Sequence, residues 1–478
     1  MERCASCRAL ECENRMLQRQ VARLERENAA LEEKNASLQA ALEKSRRDGK
    51  RQAAPFSKGK PKENPRRPGR RSGKAHGRHG HRPRPTWIDE TLEAPLPSSC
   101  PHCGGSAIEE TGVAEQFQTE IPRVKPHVTR FNVHIGSCAD CGRRIQGRHP
   151  HQTSNALGAA ASQLGPQAMS LAAELHKELG VSLGKVRRLF DHSFGLSVTC
   201  GGLYHATRRV ARVAQPTYHA LVERIRCAPV VAADETGWKV GGWLQWLWVF
   251  VSPEATVYAI QPGRGFTEAA AVLGEDFAGI LLRDGWAPYR LFVQAEHQSC
   301  LNHLIHRCHE NLETAVRGTA RIPHAVLRLL SKGLDLRDRR DHGELSPHGL
   351  AVATGRLRAA MDRLLDWRPT DEENRKLLKH LGNERDALFT FLHVPGLPAT
   401  NWPGEQAVRP AVANRKVCGG NRTWLGARIQ HIIMSLFRTS RQRRHDPREI
   451  ITTLLRSPVP IVAESLLPQN DRSPPSSP

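Results

Sequence analysis

Near the N-terminus, apolar residues recur every seventh position. Leu17, Leu24, Leu31 and Leu38 occupy one heptad site, and Asn14, Val21, Asn28, Asn35 and Leu42 the other. The spacing predicts a helix with a narrow apolar seam over residues 14–44. Leu at one core site with Asn at the other favours a parallel homodimer, because a buried amide is satisfied only opposite another amide. The alternative is a single amphipathic helix packed on its own chain. From residue 46 to 86 aliphatic positions almost vanish, which predicts a flexible arm unable to bury a core. Glu115 to Val133 then alternates in a strand-like way, as in a small three-stranded ribbon. Residues 165–226 return to helical spacing. Within them, Val181 to Phe190 and Cys200 to Val213 predict two helices across a turn containing Gly195 and Ser197, with Thr199 as a cap. That outline suits a DNA-reading helix-turn-helix and equally any pair of packed helices.

The periodicity changes at residue 228. Ala228 to Ala233 is an apolar run ending at Asp234, and Trp243 to Val251 and Ala255 to Ile260 complete three consecutive strands. A helix over Thr267 to Phe277 leads to a fourth strand, Ala278 to Arg283, which ends at Asp284. Two strands thus deliver an Asp to the same edge of one sheet. Residues 310–395 are helical. Beyond them, Asn401 is placed to cap a helix whose first turn carries Glu405. After about residue 456 the chain is rich in Pro and Ser and reads as a disordered tail.

The chain has 478 residues, enough for about three or four domains. Its 70 Lys and Arg against 48 Asp and Glu give a net charge of +22, so a polyanion is the expected partner, double-stranded DNA before a membrane surface. No apolar stretch is long enough to span a bilayer and the N-terminus is not signal-like, so a cytoplasmic, nucleoid-associated protein is expected. The arm holds fifteen Lys or Arg against two acidic residues. Arg66, Arg67, Arg70, Arg71 and Lys74 are its candidate phosphate contacts, with a merely solvated linker as the alternative. Among twelve cysteines, Cys100-Pro-His-Cys103 and Cys138-Ala-Asp-Cys141 have the spacing of two knuckles that hold structural Zn²⁺, with Gly104 and Gly142 allowing the tight turns. Such a ribbon either binds DNA or simply stabilises itself. Cys4, Cys7 and Cys12 read as an exposed thiol cluster or a site shared across the dimer.

An Asp at a strand end is commonly a turn or helix cap, and Glu405 with Arg409 fits an ordinary helix-surface ion pair. Paired placement favours another reading. Three hard oxygen ligands suit Mg²⁺, and two such ions clamp the attacking and leaving oxygens of an in-line displacement. The strand order is the outline of a ribonuclease H-like fold. After Glu405 the chain is basic, with Arg409, Arg415, Lys416 and Arg422 as candidate DNA contacts, and Gly419-Gly420 permits close approach to a phosphate. Cys300, His303 and His306 share a helix face, where His303 contacts a phosphate, supports an Asp or is structural. Tyr204, Tyr218, Tyr258 and Tyr289 lack the Arg and His cluster of a tyrosine recombinase. A non-catalytic zinc-dependent DNA-binding regulator is the other alternative.

The heptads, the arm ending Gly77-Arg-His-Gly-His-Arg82, the cysteine knuckles, Ala233-Asp-Glu-Thr-Gly-Trp238, Asp284-Gly-Trp-Ala-Pro-Tyr289, Cys300-Leu-Asn-His303 and the block from Asn401 to Gly420 together resemble the insertion sequence 66 family of DDE transposases. The resemblance covers most of the chain. It implies Asp234, Asp284 and Glu405 as the catalytic triad, a helical insertion between its second and third members, and companion proteins encoded by the same mobile element. Trp402-Pro-Gly404 departs from the small or polar residues common there. The expected architecture is α/β and multidomain: coiled coil 1–45, basic arm 46–86, zinc ribbon 87–150, helical region 151–226, ribonuclease H-like catalytic domain 227–440 with its insertion at about 310–395, and a C-terminal helix and tail 441–478.

Overall fold

The computed structural model describes residues 83–122, 124–316 and 318–467, together with Gln18, Gln20, Val21, Arg23, Leu24 and Asn28. Those six are helical and exposed in the single chain. The rest of the heptad segment, Cys4, Cys7, Cys12, and the arm residues Arg66, Arg67, Arg70, Arg71 and Lys74 lie outside the described residues. The chain divides into two units after Ile121.

In the first unit, described residues 83–121 carry no helix or strand. Cys100 opens a tight turn in which the Gly104 N–H donates to the Cys100 carbonyl (2.8 Å) and the Cys100 N–H to that of Gly105 (2.9 Å). The second unit carries the same turn: Gly142 donates to Cys138 (2.8 Å) and Cys138 to Arg143 (2.9 Å). Both glycines adopt positive φ, 75° and 63°, where a side chain is strained. Strands β1 (Ile135–Ser137) and β2 (Arg144–Gln146) flank the second knuckle as an antiparallel pair. The ribbon expected from the alternation of residues 115–133 does not extend there: the described residues of that stretch form no strand. Ile121 and Val128 stand about 85% exposed, so the alternation has no apolar layer to face.

Next comes α1 (Pro166–Ala173), continued by a π-helical turn, Glu174–Glu178. Helix α2 (Leu183–Phe194) is capped by Ser182 and ends at left-handed Gly195, and α3 (Cys200–Arg226) is capped by the Thr199 hydroxyl, which accepts from the Gly202 N–H. These match the two expected helices, but α3 runs on for 27 residues. Its Leu203, Val210, Ala214, Leu221 and Ile225 are all buried, so it is a central core helix with a basic outer face.

The sheet comprises β3 (Val230–Val240), β4 (Trp243–Val251), β5 (Thr256–Gln261), β6 (Ile280–Arg283) and β7 (Glu296–Ser299), with α4 (Phe266–Leu273) between β5 and β6. Their order is β5-β4-β3-β6-β7. The first three strands form an antiparallel meander, while β6 and β7 run parallel to β3. Two features differ from expectation. Strand β3 does not stop at Asp234 but continues to Val240, because Trp238 and Val240 are buried on one face and their pairing with β4 persists to Trp243. Strand β7 was not anticipated, since Glu296-His-Gln-Ser299 lacks an apolar run.

The two faces of β3 go to different layers. Val231 and Ala233 join a core with Leu221 and Ile225 of α3 and Val272 of α4. Trp238 and Val240 join a core with Ala407, Val408 and Ala411 of α9 (Trp402–Cys418). Side chains alternate along a strand, so Asp234 shares its face with Trp238, the face that α9 covers.

Between β7 and α9 lies a helical block, α5 (Leu301–Glu313), α6 (Arg321–Asp341), α7 (Pro347–Leu365) and α8 (Glu372–Asn383), with its own core around Leu304, Val326, Leu330, Met361, Leu377 and Leu381. It begins immediately after β7, earlier than residue 310. The chain leaves and re-enters at one point, where the Leu301 N–H donates to the Ala399 carbonyl (3.1 Å). Helices α10 (Trp424–Gln442) and α11 (Pro447–Arg456) complete the unit. No helix among the described residues is long and apolar enough to cross a membrane.

Candidate active site

The parallel pairing of β3 with β6 runs Val230 to Ile280, Val231 to Leu281 and Ala232 to Leu282. Continued by two residues, that register sets Asp234 level with Asp284. Here β6 ends, and the charge of Asp284 is felt at Asp234. The Asp284 carboxylate turns back to accept from the Trp286 N–H (2.9 Å), and Asp234 accepts from the N–H of Glu235 (2.8 Å).

Glu405 arrives from α9. Pro403 is the second residue of that helix, where a missing N–H costs nothing, so Trp402-Pro-Gly404 leaves Glu405 in the first turn. Asn401 occupies the N-cap position without capping. Its side-chain amide instead donates across to the Ala233 carbonyl (2.8 Å), and its backbone N–H donates to Cys300 Sγ (3.0 Å). Asn401 therefore pins the start of α9 to the residue before Asp234 and to the end of β7. Glu405 Oε1 lies 3.8 Å from Cys300 Sγ and 4.0 Å from His303 Nδ1. His303 is half-exposed on the first turn of α5.

Negative charge is crowded here. Burial, with the charges of Glu235 and Asp284 nearby, pushes the Asp234 carboxyl up to about 7, opposed in part by His303. Glu235 points to the other face of β3, where Arg264 and the Tyr289 hydroxyl (2.5 Å) bond to its carboxylate. Burial raises its pKa too. Arg264 is stacked on Trp286 and Trp246, 3.9 and 4.8 Å from the ring centroids, and its carbonyl accepts from the Trp286 indole. Sequence reasoning missed Glu235 and Arg264, and it read Asn401 as a helix cap, whereas its amide bonds to the Ala233 carbonyl instead. The only available signal was Glu235 beside Asp234, at a register position whose neighbours are all apolar.

Residues 161–429, more than half of the chain, match the family described as Transposase IS66 family. The chain belongs to that family. No curated protein matches it.

The matched region of this IS66-family transposase contains all three carboxylates, the helical block and the basic stretch after Glu405. That stretch divides in two. Arg409, Lys416 and Arg422 are exposed. Arg415 is not: it is 8% exposed, and its guanidinium donates to the Thr236 hydroxyl (3.0 Å) and the Gly237 carbonyl. The expected phosphate contact is thus a strap between α9 and β3. Gly420, at φ 108°, also packs inward, and a Cβ there would lie 2.4 Å from the Lys239 carbonyl oxygen. The close approach that Gly419-Gly420 permits is to the β3–β4 hairpin, where Asn421 bonds to Lys239, Gly241 and the Trp238 indole.

The backbone N–H groups of His102 and Cys103 lower the Cys100 thiol pKa, and those of Cys141 and Asp140 lower that of Cys138. Two clefts of about 640 and 470 Å³ lie beside β5, Arg428 and His431, and none of the three carboxylates lines either.

Proposed function

We propose that this transposase cleaves DNA at the ends of a mobile element and joins them to a target, with Asp234, Asp284 and Glu405 as the catalytic carboxylates. The observation that carries the reading is the meeting of β3, the end of β6 and the first turn of α9, pinned by the Asn401 amide on the Ala233 carbonyl. Strand order β5-β4-β3-β6-β7, antiparallel then parallel, supports a ribonuclease H-like core.

The donor set fits Mg²⁺, because it offers hard carboxylate oxygens and a buried Asp234 whose carboxyl is raised by burial and by the charges of Glu235 and Asp284. A pair of such ions, when bound, supplies charge stabilisation for the attacking and leaving oxygens. The protein's own groups position and exclude. Trp286 fixes Asp284, Asn401 fixes the start of α9, and Arg264 and Tyr289 neutralise Glu235 so that it stays on the far face. Water attacks the phosphodiester at the element end and releases a 3′-hydroxyl, which then attacks target DNA, with no covalent protein intermediate. His303, within 4.0 Å of Glu405, is positioned to meet a phosphate oxygen. Arg409, Lys416, Arg422 and the arm residues neutralise the DNA backbone. The lowered thiol pKa values at Cys100 and Cys138 favour the thiolates that Zn²⁺ takes, so the two knuckles, with Cys103 and Cys141, are assigned as zinc ligands. Helical Val21, Leu24 and Asn28 are assigned to a homodimer seam that pairs two element ends.

Strand transfer on DNA bearing the element's ends, in Mg²⁺, tests this reading. Asp234→Ala, Asp284→Asn and Glu405→Gln should each abolish joining while DNA binding persists. Unimpaired joining by Asp284→Asn would remove Asp284 from the triad, and wild type that binds the ends yet joins nothing would leave a non-catalytic DNA-binding regulator as the function.

A further inference from the structure

One cluster at this site does not suit Mg²⁺. Cys300 Sγ, His303 Nδ1 or Nε2 and a Glu405 oxygen lie within 4.8 Å of one another. A tetrahedral Zn²⁺ with bonds of ~2.3 Å to sulfur and ~2.0 Å to nitrogen or oxygen needs ligand separations of ~3.3–3.5 Å. The observed Sγ–Oε1 distance of 3.8 Å and Nδ1–Oε1 distance of 4.0 Å exceed that by amounts that small side-chain rotations close. Cys300 and His303 are three apart at the start of α5, the spacing that brings two side chains to one helix face. The sulfur is set in a ring of backbone donors, from Asn401 at 3.0 Å and from Asn302 and His303. Burial, with the Glu405 charge, raises the Cys300 thiol above its ordinary value, and these donors offset only part of that rise, so the thiol proton leaves as a cation binds.

We propose that Cys300, His303 and Glu405 form a three-ligand site for a thiophilic divalent cation such as Zn²⁺, with its fourth position open to solvent or substrate. The inference rests on the reading of Glu405 as a catalytic carboxylate. Mg²⁺ prefers oxygen ligands, whereas sulfur and imidazole select the later transition metals. The two kinds of ion therefore compete for one glutamate. A thiophilic ion draws Glu405 toward α5 and away from Asp234 and Asp284, so Zn²⁺ acts as an inhibitor of the Mg²⁺-supported reaction.

Co²⁺ titration of the full-length, zinc-replete protein reads the site directly, because a thiolate ligand gives a ligand-to-metal absorption band. Wild type should take up one further Co²⁺ with that band. In Cys300→Ser the band should vanish, and in His303→Ala the affinity should fall by about 100-fold with an unchanged melting temperature, since His303 is half-exposed. Free Zn²⁺ should suppress wild-type joining but leave Cys300→Ser near its own zinc-free rate. Co²⁺ spectra and stoichiometry identical in wild type and Cys300→Ser would overturn the cation site and leave the transposase reading standing. A chain that joins no DNA in any metal yet loses the band in Cys300→Ser would keep the site and remove the transposase reading.

Discussion

Replacing Asp234 with Asn in the Mg²⁺-free protein should make the fold more stable at neutral pH, although it removes a carboxylate assigned to catalysis. The Asp234 carboxyl is raised from 3.8 to about 7 by burial and by the charges of Glu235 and Asp284. Below the unfolded value both states are protonated. As pH rises from about 4 toward 7, the unfolded chain loses this proton first, so the folded state holds more protons and stability falls. A shift of about three units corresponds to roughly 4 kcal/mol at about 1.4 kcal/mol per unit, fully developed above pH 7. Asn cannot ionise, and its side-chain oxygen still accepts from the Glu235 N–H. The variant should therefore exceed wild type by about 2–4 kcal/mol at pH 8, or roughly 4–8 °C in a domain of this size. The two should converge at pH 4. Thermal melts across that range, without Mg²⁺ but with zinc retained, make the measurement. Added Mg²⁺ should raise the wild-type melting temperature and leave the variant unmoved. A variant equal to or weaker than wild type at pH 8 would refute the idea that the site stores electrostatic strain for a cation.

Glu384 accepts from both Arg283 and Arg290 and is fully buried. Glu384→Ala strands the buried Arg283 charge and should lower stability by about 3–5 kcal/mol in denaturant unfolding. Gly420→Ala meets both a strained φ and the Lys239 carbonyl; it should cost more than about 1 kcal/mol and expose the β3–β4 hairpin to limited proteolysis. Lys416→Ala and Arg422→Ala should each reduce the salt dependence of DNA binding by about one unit of slope at unchanged melting temperature. Arg415→Ala should lower the melting temperature, since its guanidinium bonds inside the protein.

The placement of Asp284 was legible because a short strand, apolar over Ile280 to Leu282 and closed by Arg283, runs directly into it. Asp234 was legible only as a position: the sequence reads as ending a strand there, since charged, polar and glycine residues follow. The strand continues because Trp238 and Val240, on one face of it, are buried beneath α9. That pairing is long-range and leaves no local trace. The direction of Arg415 was likewise hidden. A basic run reads as a phosphate surface until one knows that the Thr236 hydroxyl and Gly237 carbonyl lie beneath it. Strand β7 is held by other side chains. The Gln298 oxygen accepts from the Phe391 N–H, and the Thr390 hydroxyl donates to the His297 carbonyl, so its partners come from more than ninety residues away.

The helices between Cys300 and Asn401 join the sheet where Leu301 bonds to Ala399 and Asn401 to Cys300, and Glu384, Thr390 and Phe391 bond further to β6 and β7. A segment whose two ends already meet can be lengthened, trimmed or exchanged with little entropic penalty for reconnecting the chain. Those bonds are therefore what any graft must preserve, because Asn401, which bonds to Cys300, also holds the start of α9 and with it Glu405. Changes confined to the helices away from those contacts can remodel the block while the placement of Asp234, Asp284 and Glu405 stays unchanged.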